Sequence, residues 1–228
     1  METKYPDYSN SIVNLSCSVL RYFNVQDVRH STLPVADKIL ENRKPRNVII
    51  MVFDGMGISI LERHLPSDSF TRRHIVRQIT STFPPTTVAA TTSINSGLTP
   101  LETGWIGWIT YFSEVDRNVV TYFNTDQTTG KPACNYNLAY TALPYRSLSV
   151  QINEADPYVK CTAAAPFKVN LTDNTVISRT INGNCDAILD LKRKYSRNFI
   201  YSYCVQPDEL MHRYGIDDTV VLHRSCRR

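Results

Sequence analysis

The chain has 228 residues, of which 42% are hydrophobic and 20% are charged, and its formal net charge is +4. This length and apolar content suffice for a packed α/β domain and exclude an intrinsically disordered chain. The mild positive charge is scattered, and no stretch approaches the roughly 20 apolar residues of a membrane span, so the composition argues against a nucleic-acid-binding module and a membrane-spanning protein.

The N-terminus and the cysteines indicate a cytoplasmic protein. The opening segment METKYPDYSNSIVNL carries acidic and polar side chains where a signal peptide needs basic residues and an unbroken apolar run. The six cysteines lie far apart without a C-x-x-C pair, which argues against a zinc ribbon or a thioredoxin-type motif. In a reducing compartment we expect free, buried thiols. The cysteines are Cys17, Cys134, Cys161, Cys185, Cys204 and Cys226.

The first predicted strand is Asn47–Phe53 (NVIIMVF), a continuous apolar run typical of a central parallel strand that is buried on both faces. Before this run, the helical spacing of apolar residues predicts a helix over 8–23, and residues 35–40 resemble a second, shorter helix. After the run we expect a helix through 61–64.

The middle of the chain begins with a predicted strand at 77–82. A helix of small residues should follow over about 86–95 and end at Gly97, where glycine can adopt the left-handed cap conformation. Residues 105–145 are rich in aromatic, Thr, Asn and turn residues. We interpret them as an insertion or lid with a strand at 118–123.

The last third alternates again between strand and helix patterns. Apolar runs predict strands at 158–163 and 198–203, and residues 184–195 have the pattern of a helix. Strands that alternate with helices indicate a parallel sheet covered by helices on both faces, which is an α/β fold. In such open sheets, ligands gather at the carboxyl ends of the strands.

Asp54 lies at the first of these strand ends and is followed by Gly55 and Gly57. The glycines leave room for a ligand to approach the backbone. An ionised carboxylate at this place suits a hard or borderline cation. The alternative for Asp54 is an N-cap of the next helix.

Thr86 and Thr87 follow Phe83-Pro84-Pro85, where a helix is predicted to begin. The N–H groups and the positive end of the helix dipole can receive a phosphate group there. A hydroxyl at such a position can act as a nucleophile when a metal or a base removes its proton. The alternative is a helix cap, for which Thr is a common residue.

Asp208 and His212 follow the predicted strand at 198–203. A spacing of four residues on a helix places both side chains on one face, one turn apart. A carboxylate and an imidazole in this arrangement form a compact pair of metal ligands. The alternative is a surface ion pair. Together, the three strand ends offer what metal-assisted phosphoryl transfer requires.

Three segments resemble the type I phosphodiesterase/nucleotide pyrophosphatase family of the alkaline phosphatase superfamily. The first is residues 83–104, FPPTTVAATTSINSGLTPLETG, which are similar to the family signature. In that signature the nucleophilic Thr lies ten residues before the Gly of a T/S-G-L-x-P segment. Counting ten residues back from Gly97 gives Thr87. VFDGMG (52–57) resembles the strand end whose Asp binds one metal. PDELMHRYG (207–215) resembles the P-D-x-x-x-H-x-Y-G segment, whose Asp and His bind the other metal.

This resemblance covers about residues 46–215 and implies a fold. The expected architecture is a three-layer α/β fold, alkaline-phosphatase-like, with a mostly parallel central sheet and helices on both faces, incomplete at the C-terminus. Residues 1–228 would form the N-terminal portion of a single catalytic domain of this type, with the insertion or lid at about 105–145.

The resemblance also implies a metal-dependent hydrolase of phosphodiester or pyrophosphate bonds with Thr87 as nucleophile. Two divalent metal ions, zinc first and manganese as an alternative, would be bound by Asp54, Thr87, Asp208 and His212. Attack by Thr87 would form a phosphothreonine, which water would then hydrolyse. The expected partner is a small phosphorylated substrate such as a nucleotide, without nucleic acid or membrane.

Two departures from the family pattern leave alternatives open. Trp108 stands where eukaryotic members have an Asn that hydrogen-bonds a phosphoryl oxygen, so Trp108 is the candidate substrate-binding residue. Superfamily members supply an Asp-His pair and a later His from their second half, and these ligands are absent from this chain, which we expect to be truncated. The alternatives are a catalytically inactive remnant and a phosphomonoesterase, phosphonate hydrolase or mutase-like member of the superfamily.

Overall fold

The computed structural model describes residues 5–168, 172, 174–218 and 221. Within these ranges the chain forms two compact units. The first unit comprises Met1–Lys44 and Ile79–Asp156, and the second comprises Pro45–Gln78 and Pro157–Arg228.

The described residues contain ten helices and seven strands. The helices are α1 (Ile12–Tyr22), α2 (Pro34–Arg43), α3 (Ile58–His64), α4 (Phe70–Arg73), α5 (Thr87–Ser96), α6 (Pro100–Thr103), α7 (Leu138–Ala142), α8 (Leu148–Ala155), α9 (Ile181–Lys194) and α10 (Asp208–Tyr214). The strands are β1 (Asn47–Phe53), β2 (Ile109–Phe112), β3 (Arg117–Val120), β4 (Thr125–Asp126), β5 (Lys160–Ala165), β6 (Thr175–Ile177) and β7 (Asn198–Cys204).

In the first unit, α1 packs against α5. The buried side chains of Val13, Cys17 and Leu20 recur at helical spacing, and this apolar face is what holds α1 in place. The Ser16 hydroxyl donates a 2.7 Å hydrogen bond to the Ile94 carbonyl of α5. Such close contact requires the small Ser, Thr and Ala side chains that α5 contains.

An antiparallel sheet of β2, β3 and β4 lies in the segment predicted to be an insertion or lid. Its buried cluster contains Trp105, which is fully buried and donates from Nε1 to the Leu143 carbonyl at 2.8 Å. Val88 of α5 belongs to the same cluster. The segment therefore packs on the first turn of α5 through a core of its own, while a lid role for it stays a prediction.

The Glu102 carboxylate of α6 forms hydrogen bonds and ion pairs with several residues of the first unit. Its Oε2 accepts from the Thr99 N–H at 2.8 Å and lies 2.7 Å from His30 Nε2, and its Oε1 lies 2.9 Å from Arg29 Nε. Burial alone would raise the pKa of Glu102, but hydrogen bonds from Thr99 and His30 outweigh it and lower the pKa below its ordinary value. A carboxylate of this kind stabilises the fold above its unfolded-state pKa of about 4.3 and loses that contribution as the pH falls through the folded-state pKa.

Glu102→Gln should lower the free energy of unfolding by about 1–2 kcal/mol at pH 7, because charge-assisted hydrogen bonds are lost. The difference from wild type should shrink below about pH 4, where the wild-type carboxylate itself becomes protonated. Urea denaturation at pH 7 and pH 3 measures both quantities. Glu114→Gln, at an exposed position of the same unit, is the control, and an equal loss at both pH values would contradict the prediction.

The second unit contains a four-stranded parallel sheet in the order β1-β7-β5-β6. Every residue of β7, which lies between β1 and β5, is buried, and most of its side chains are apolar or aromatic. Ile50 pairs with Tyr201 and Phe53 pairs with Cys204, so β1 and β7 end at the same level. The carboxyl ends of these two neighbouring strands therefore form one edge.

The prediction of a strand at 77–82 is wrong. Of these residues only Thr80 makes a β-bridge, to Ser11, and it does so in the first unit. The Thr80 N–H donates to the Asn10 carbonyl at 2.9 Å, and the Ile12 N–H donates to the Thr80 carbonyl at 3.0 Å. The segment is too polar to enter a parallel sheet, and it instead supplies backbone partners to the start of α1.

The strands predicted around β1, β5 and β7 and the helices predicted around α1, α2, α3, α5 and α9 are confirmed; β1 has the predicted bounds, and the other elements have shifted ends. The prediction that β1 is a central strand buried on both faces is wrong, because β1 pairs only with β7 at the edge of the described sheet and Ile49 is 41% exposed. The described cysteines are all free, and Cys17, Cys161 and Cys204 are buried as expected. Cys134 is half-buried and Cys185 exposed, whereas Cys226 lies outside the described residues. None of the described helices combines the length and apolar composition that crossing a bilayer would need.

Candidate active site

Asp54 and Asp208 follow the two neighbouring strands of the second unit. The Asp54 N–H donates to the Cys204 carbonyl at 2.9 Å, which extends the β1–β7 pairing by one residue. The Asp208 N–H donates to the Asp54 carbonyl at 3.0 Å. The parallel sheet thus brings together two carboxylates that are 154 positions apart in sequence.

Gly55 makes this approach possible. Its φ of +73° lies in the left-handed region, and a Cβ added there would lie 2.6 Å from Met211 Cε and 3.1 Å from Asp208 Cα. A side chain at this position would strain the left-handed backbone, displace the end of the Met211 side chain and crowd Asp208 at the start of α10. The glycine that the sequence places after Asp54 therefore serves close packing of α10 against the strand end.

Asp208 and His212 lie on one face of α10, as their spacing predicted. His212 Nε2 is 3.5 Å from Asp208 Oδ2, and the imidazole side chain is 81% exposed whereas the Asp208 side chain is 32% exposed. Asp208 is the first residue of the helix, after the cis peptide bond Gln206–Pro207. Here a carboxylate also interacts favourably with the positive end of the helix dipole.

The electrostatics of this edge favour a bound cation. Burial and then the negative charge of Asp54 raise the pKa of Asp208, while His212 acts in the opposite direction. Because two like charges face one another, a divalent cation between or beside them would relieve the repulsion. Asp and His side chains are also among the ligands that zinc and manganese take in proteins.

Tyr203 is a residue of this edge that the sequence reasoning missed. Its hydroxyl donates a 2.6 Å hydrogen bond to Asp54 Oδ2. This hydrogen bond fixes the position of one Asp54 carboxylate oxygen. Because the tyrosine hydroxyl is neutral, the negative charge of Asp54 is not neutralised. The available signal was a tyrosine next to the end of a buried strand, directly before the Asp208 segment.

Asp54, Asp208 and His212 offer ligands to a metal without forming a closed coordination shell. Among the residues that the structure describes, no group of three or more His, Cys, Asp or Glu side chains is arranged to hold a metal ion. The chemistry of the donors fits a divalent cation, and their number leaves positions for other ligands such as water and substrate.

Thr87 belongs to the first unit and is the first residue of α5. The N-cap is Thr86, whose Oγ1 accepts from the Ala89 N–H at 3.2 Å. The Thr87 carbonyl accepts a 2.6 Å hydrogen bond from Thr91 Oγ1. The capping role that the sequence left open therefore falls to Thr86, and the side chain of Thr87 is not needed for it.

Trp108, the candidate substrate-binding residue, also belongs to the first unit. Its indole is 43% exposed and contacts two aromatic rings edge-to-face, Tyr122 at 6.2 Å and Phe123 at 5.7 Å between centroids. Tyr122 hydrogen-bonds Thr91, one turn after Thr87. Trp108 is thereby linked to the first turns of α5 through one aromatic side chain.

One comparison with known proteins finds a match for this chain. The family model described as type I phosphodiesterase / nucleotide pyrophosphatase matches residues 48–225, a span that contains all five candidate residues. Neither the curated proteins nor the solved structures contain a significant match. The family match and the parallel sheet confirm the predicted fold class, a three-layer α/β fold of the alkaline-phosphatase type.

Proposed function

Since this chain belongs to the type I phosphodiesterase/nucleotide pyrophosphatase family, we propose that it hydrolyses phosphodiester or pyrophosphate bonds in a metal-dependent reaction with Thr87 as nucleophile. Family membership makes phosphate esters the substrate class; a small phosphorylated molecule such as a nucleotide is the narrower form of the proposal. The observation that carries it is the pair of carboxylates at the ends of β1 and β7, where burial and the charge of Asp54 raise the pKa of Asp208.

The metal ligands of the proposal are Asp54, Thr87, Asp208 and His212. When bound, two divalent ions, zinc or manganese, would lower the pKa of the Thr87 hydroxyl and offset negative charge on the phosphoryl oxygens. Tyr203 keeps one oxygen of Asp54 in a fixed hydrogen bond of 2.6 Å, which orients the carboxylate.

Thr87 supplies the reacting oxygen. Its deprotonated Oγ1 forms a bond to phosphorus while the bond to the leaving oxygen breaks, and the leaving alcohol or phosphate takes up a proton. The start of α5 favours negative charge on the phosphoryl group through its N–H groups and dipole. Water then attacks the phosphothreonine, and Thr87 regains its hydroxyl.

Trp108 is proposed to contact the substrate. An indole donates one hydrogen bond from Nε1 and offers a large apolar face. Its 43% exposure leaves part of that surface accessible to a ligand.

The cytoplasmic location expected from the sequence stays a prediction.

The proposal is tested by measuring zinc content and hydrolysis on the same preparation of the 228-residue chain. We expect bound zinc, and turnover of bis(p-nitrophenyl) phosphate that stops when a chelator is added. A faster reaction with p-nitrophenyl phosphate would favour the phosphomonoesterase alternative. Absence of both zinc and turnover would contradict the proposal and favour the inactive alternative.

A further inference from the structure

A cavity of about 340 Å³ lies within the second unit, at the start of α9. It is lined on one side by the turn that precedes α9, including Ser178, Arg179 and Thr180. The other side is formed by the end of β7 and by Asn184. None of the proposed catalytic or metal-binding residues lines this cavity, although Tyr203 does.

The start of α9 presents hydrogen-bond donors and positive charge. The hydroxyl of the N-cap Thr180 accepts from the Gly183 N–H at 3.0 Å, whereas the N–H groups of Ile181 and Asn182 have no acceptor among the described residues. The first turn contains no acidic residue. Arg179 is exposed and forms no ion pair within the part of the chain that the structure describes. This 14-residue helix therefore begins with an uncompensated positive potential.

Asn184, which lines the same cavity, carries a buried acceptor. Its side chain is 1% exposed, and Nδ2 donates to the Tyr203 carbonyl at 3.1 Å. The other end of the amide, Oδ1, is buried and has no donor in the described structure. A buried acceptor without a donor is destabilising, and it indicates a missing hydrogen-bond partner. The cavity thus presents donors for an anion, and one of the residues that line it carries an acceptor that lacks a proton donor.

We propose that this cavity binds a phosphomonoester or hydrogen-phosphate group. The oxyanion oxygens accept from Arg179 and from the free N–H groups of α9, and a protonated phosphate oxygen donates to Asn184 Oδ1. Sulfate has the same shape but carries no proton at neutral pH, so it leaves Oδ1 without a partner. The site should therefore select phosphate over sulfate, which a helix N-terminus alone would not do.

Calorimetric titration of the full chain at pH 7 with inorganic phosphate and with sodium sulfate tests this site. A chelator is present in both titrations, so that metal-bound phosphate cannot contribute. We expect phosphate to bind about tenfold or more tightly than sulfate, and Arg179→Gln to weaken phosphate binding about tenfold or more. Arg193→Gln, in the last turn of the same helix, should leave phosphate binding unchanged.

A second variant examines the acceptor. Asn184→Leu removes Oδ1 and should abolish the preference for phosphate over sulfate; circular dichroism first establishes that this variant folds. Equal binding of the two anions by wild type, no binding of either, or equal effects of Arg179→Gln and Arg193→Gln would each overturn the proposal. Because no turnover is measured, these results are independent of whether the chain hydrolyses phosphate esters.

Titration with glycerol 3-phosphate tests whether the bound phosphate group belongs to a phosphomonoester or is free inorganic phosphate. Tighter binding than inorganic phosphate would indicate that the cavity holds the phosphate end of a larger molecule. Weaker binding would indicate free phosphate as the ligand. Arg179→Gln should weaken both, since the same donors hold the phosphate in either case.

Discussion

Replacing Thr87 with alanine should abolish phosphodiester hydrolysis, with turnover falling by about 10³-fold or more, because the variant lacks the oxygen that attacks phosphorus. Thr87→Ser keeps a hydroxyl at the same place and should retain measurable turnover. Release of nitrophenol from bis(p-nitrophenyl) phosphate in the presence of zinc measures all three proteins under the same conditions.

The neighbouring threonine provides a matched control for this prediction. Thr86 caps α5 through its hydroxyl, so Thr86→Ala should cost about 0.5–2 kcal/mol of stability and leave most of the turnover. The two alanine variants thus separate a chemical role from a capping role. If Thr86→Ala were inactive and Thr87→Ala active, the nucleophile would be misassigned by one residue.

Asp208→Asn should weaken zinc binding by about 100-fold or more, because a metal ligand loses its charge. The same change should leave the metal-free protein as stable as wild type, or more stable. Burial and the charge of Asp54 raise the pKa of Asp208, so its ionised form destabilises the fold at pH values above the folded-state pKa, and that cost falls as the pH is lowered through it. An asparagine does not ionise and removes this cost.

Competition with a chelator measures the affinity for zinc. Thermal unfolding without metal measures the stability of the metal-free protein. Asp190→Asn, whose side chain is 80% exposed on α9, is the control and should change neither. A purely structural role for Asp208 would appear as lower stability of the metal-free variant. Unchanged zinc affinity would remove Asp208 from the metal ligands.

Local sequence was sufficient to predict the elements that carry the candidate site. The run NVIIMVF is apolar at every position after the first, and it forms β1 with the predicted bounds. Pro84, Pro85 and Thr86 precede a helix that ends at Gly97, whose φ is +73°. The one-turn spacing of Asp208 and His212 is a property of any helix. These features depend on residues a few positions apart, which is why they can be read from the sequence.

Sequence patterns were insufficient where a segment is defined by a distant partner. Residues 77–82 were predicted to form a strand, but Thr80 instead pairs with the start of α1 about 70 positions earlier. The aromatic segment 105–145 did not reveal that Trp105 is its buried centre, since Trp105 packs with Leu138 near the other end of the segment and with Val88 of α5 outside it. Apolar periodicity indicates that a side chain is buried, but it does not indicate which residues that side chain packs against.

What the sequence by itself determined is the family, the parallel α/β fold class and the residue types at the strand ends, because each follows from local pattern and spacing. Only the tertiary structure decided that β7 lies beside β1, which places the Tyr203 hydroxyl on Asp54 and the charge of Asp54 near Asp208. It also placed Arg179 and Asn184, whose side-chain oxygen has no donor in the described structure, on the lining of one cavity. Hydrogen bonds and charge interactions act across a few ångströms in space, and strand pairing sets those distances between residues about 150 positions apart.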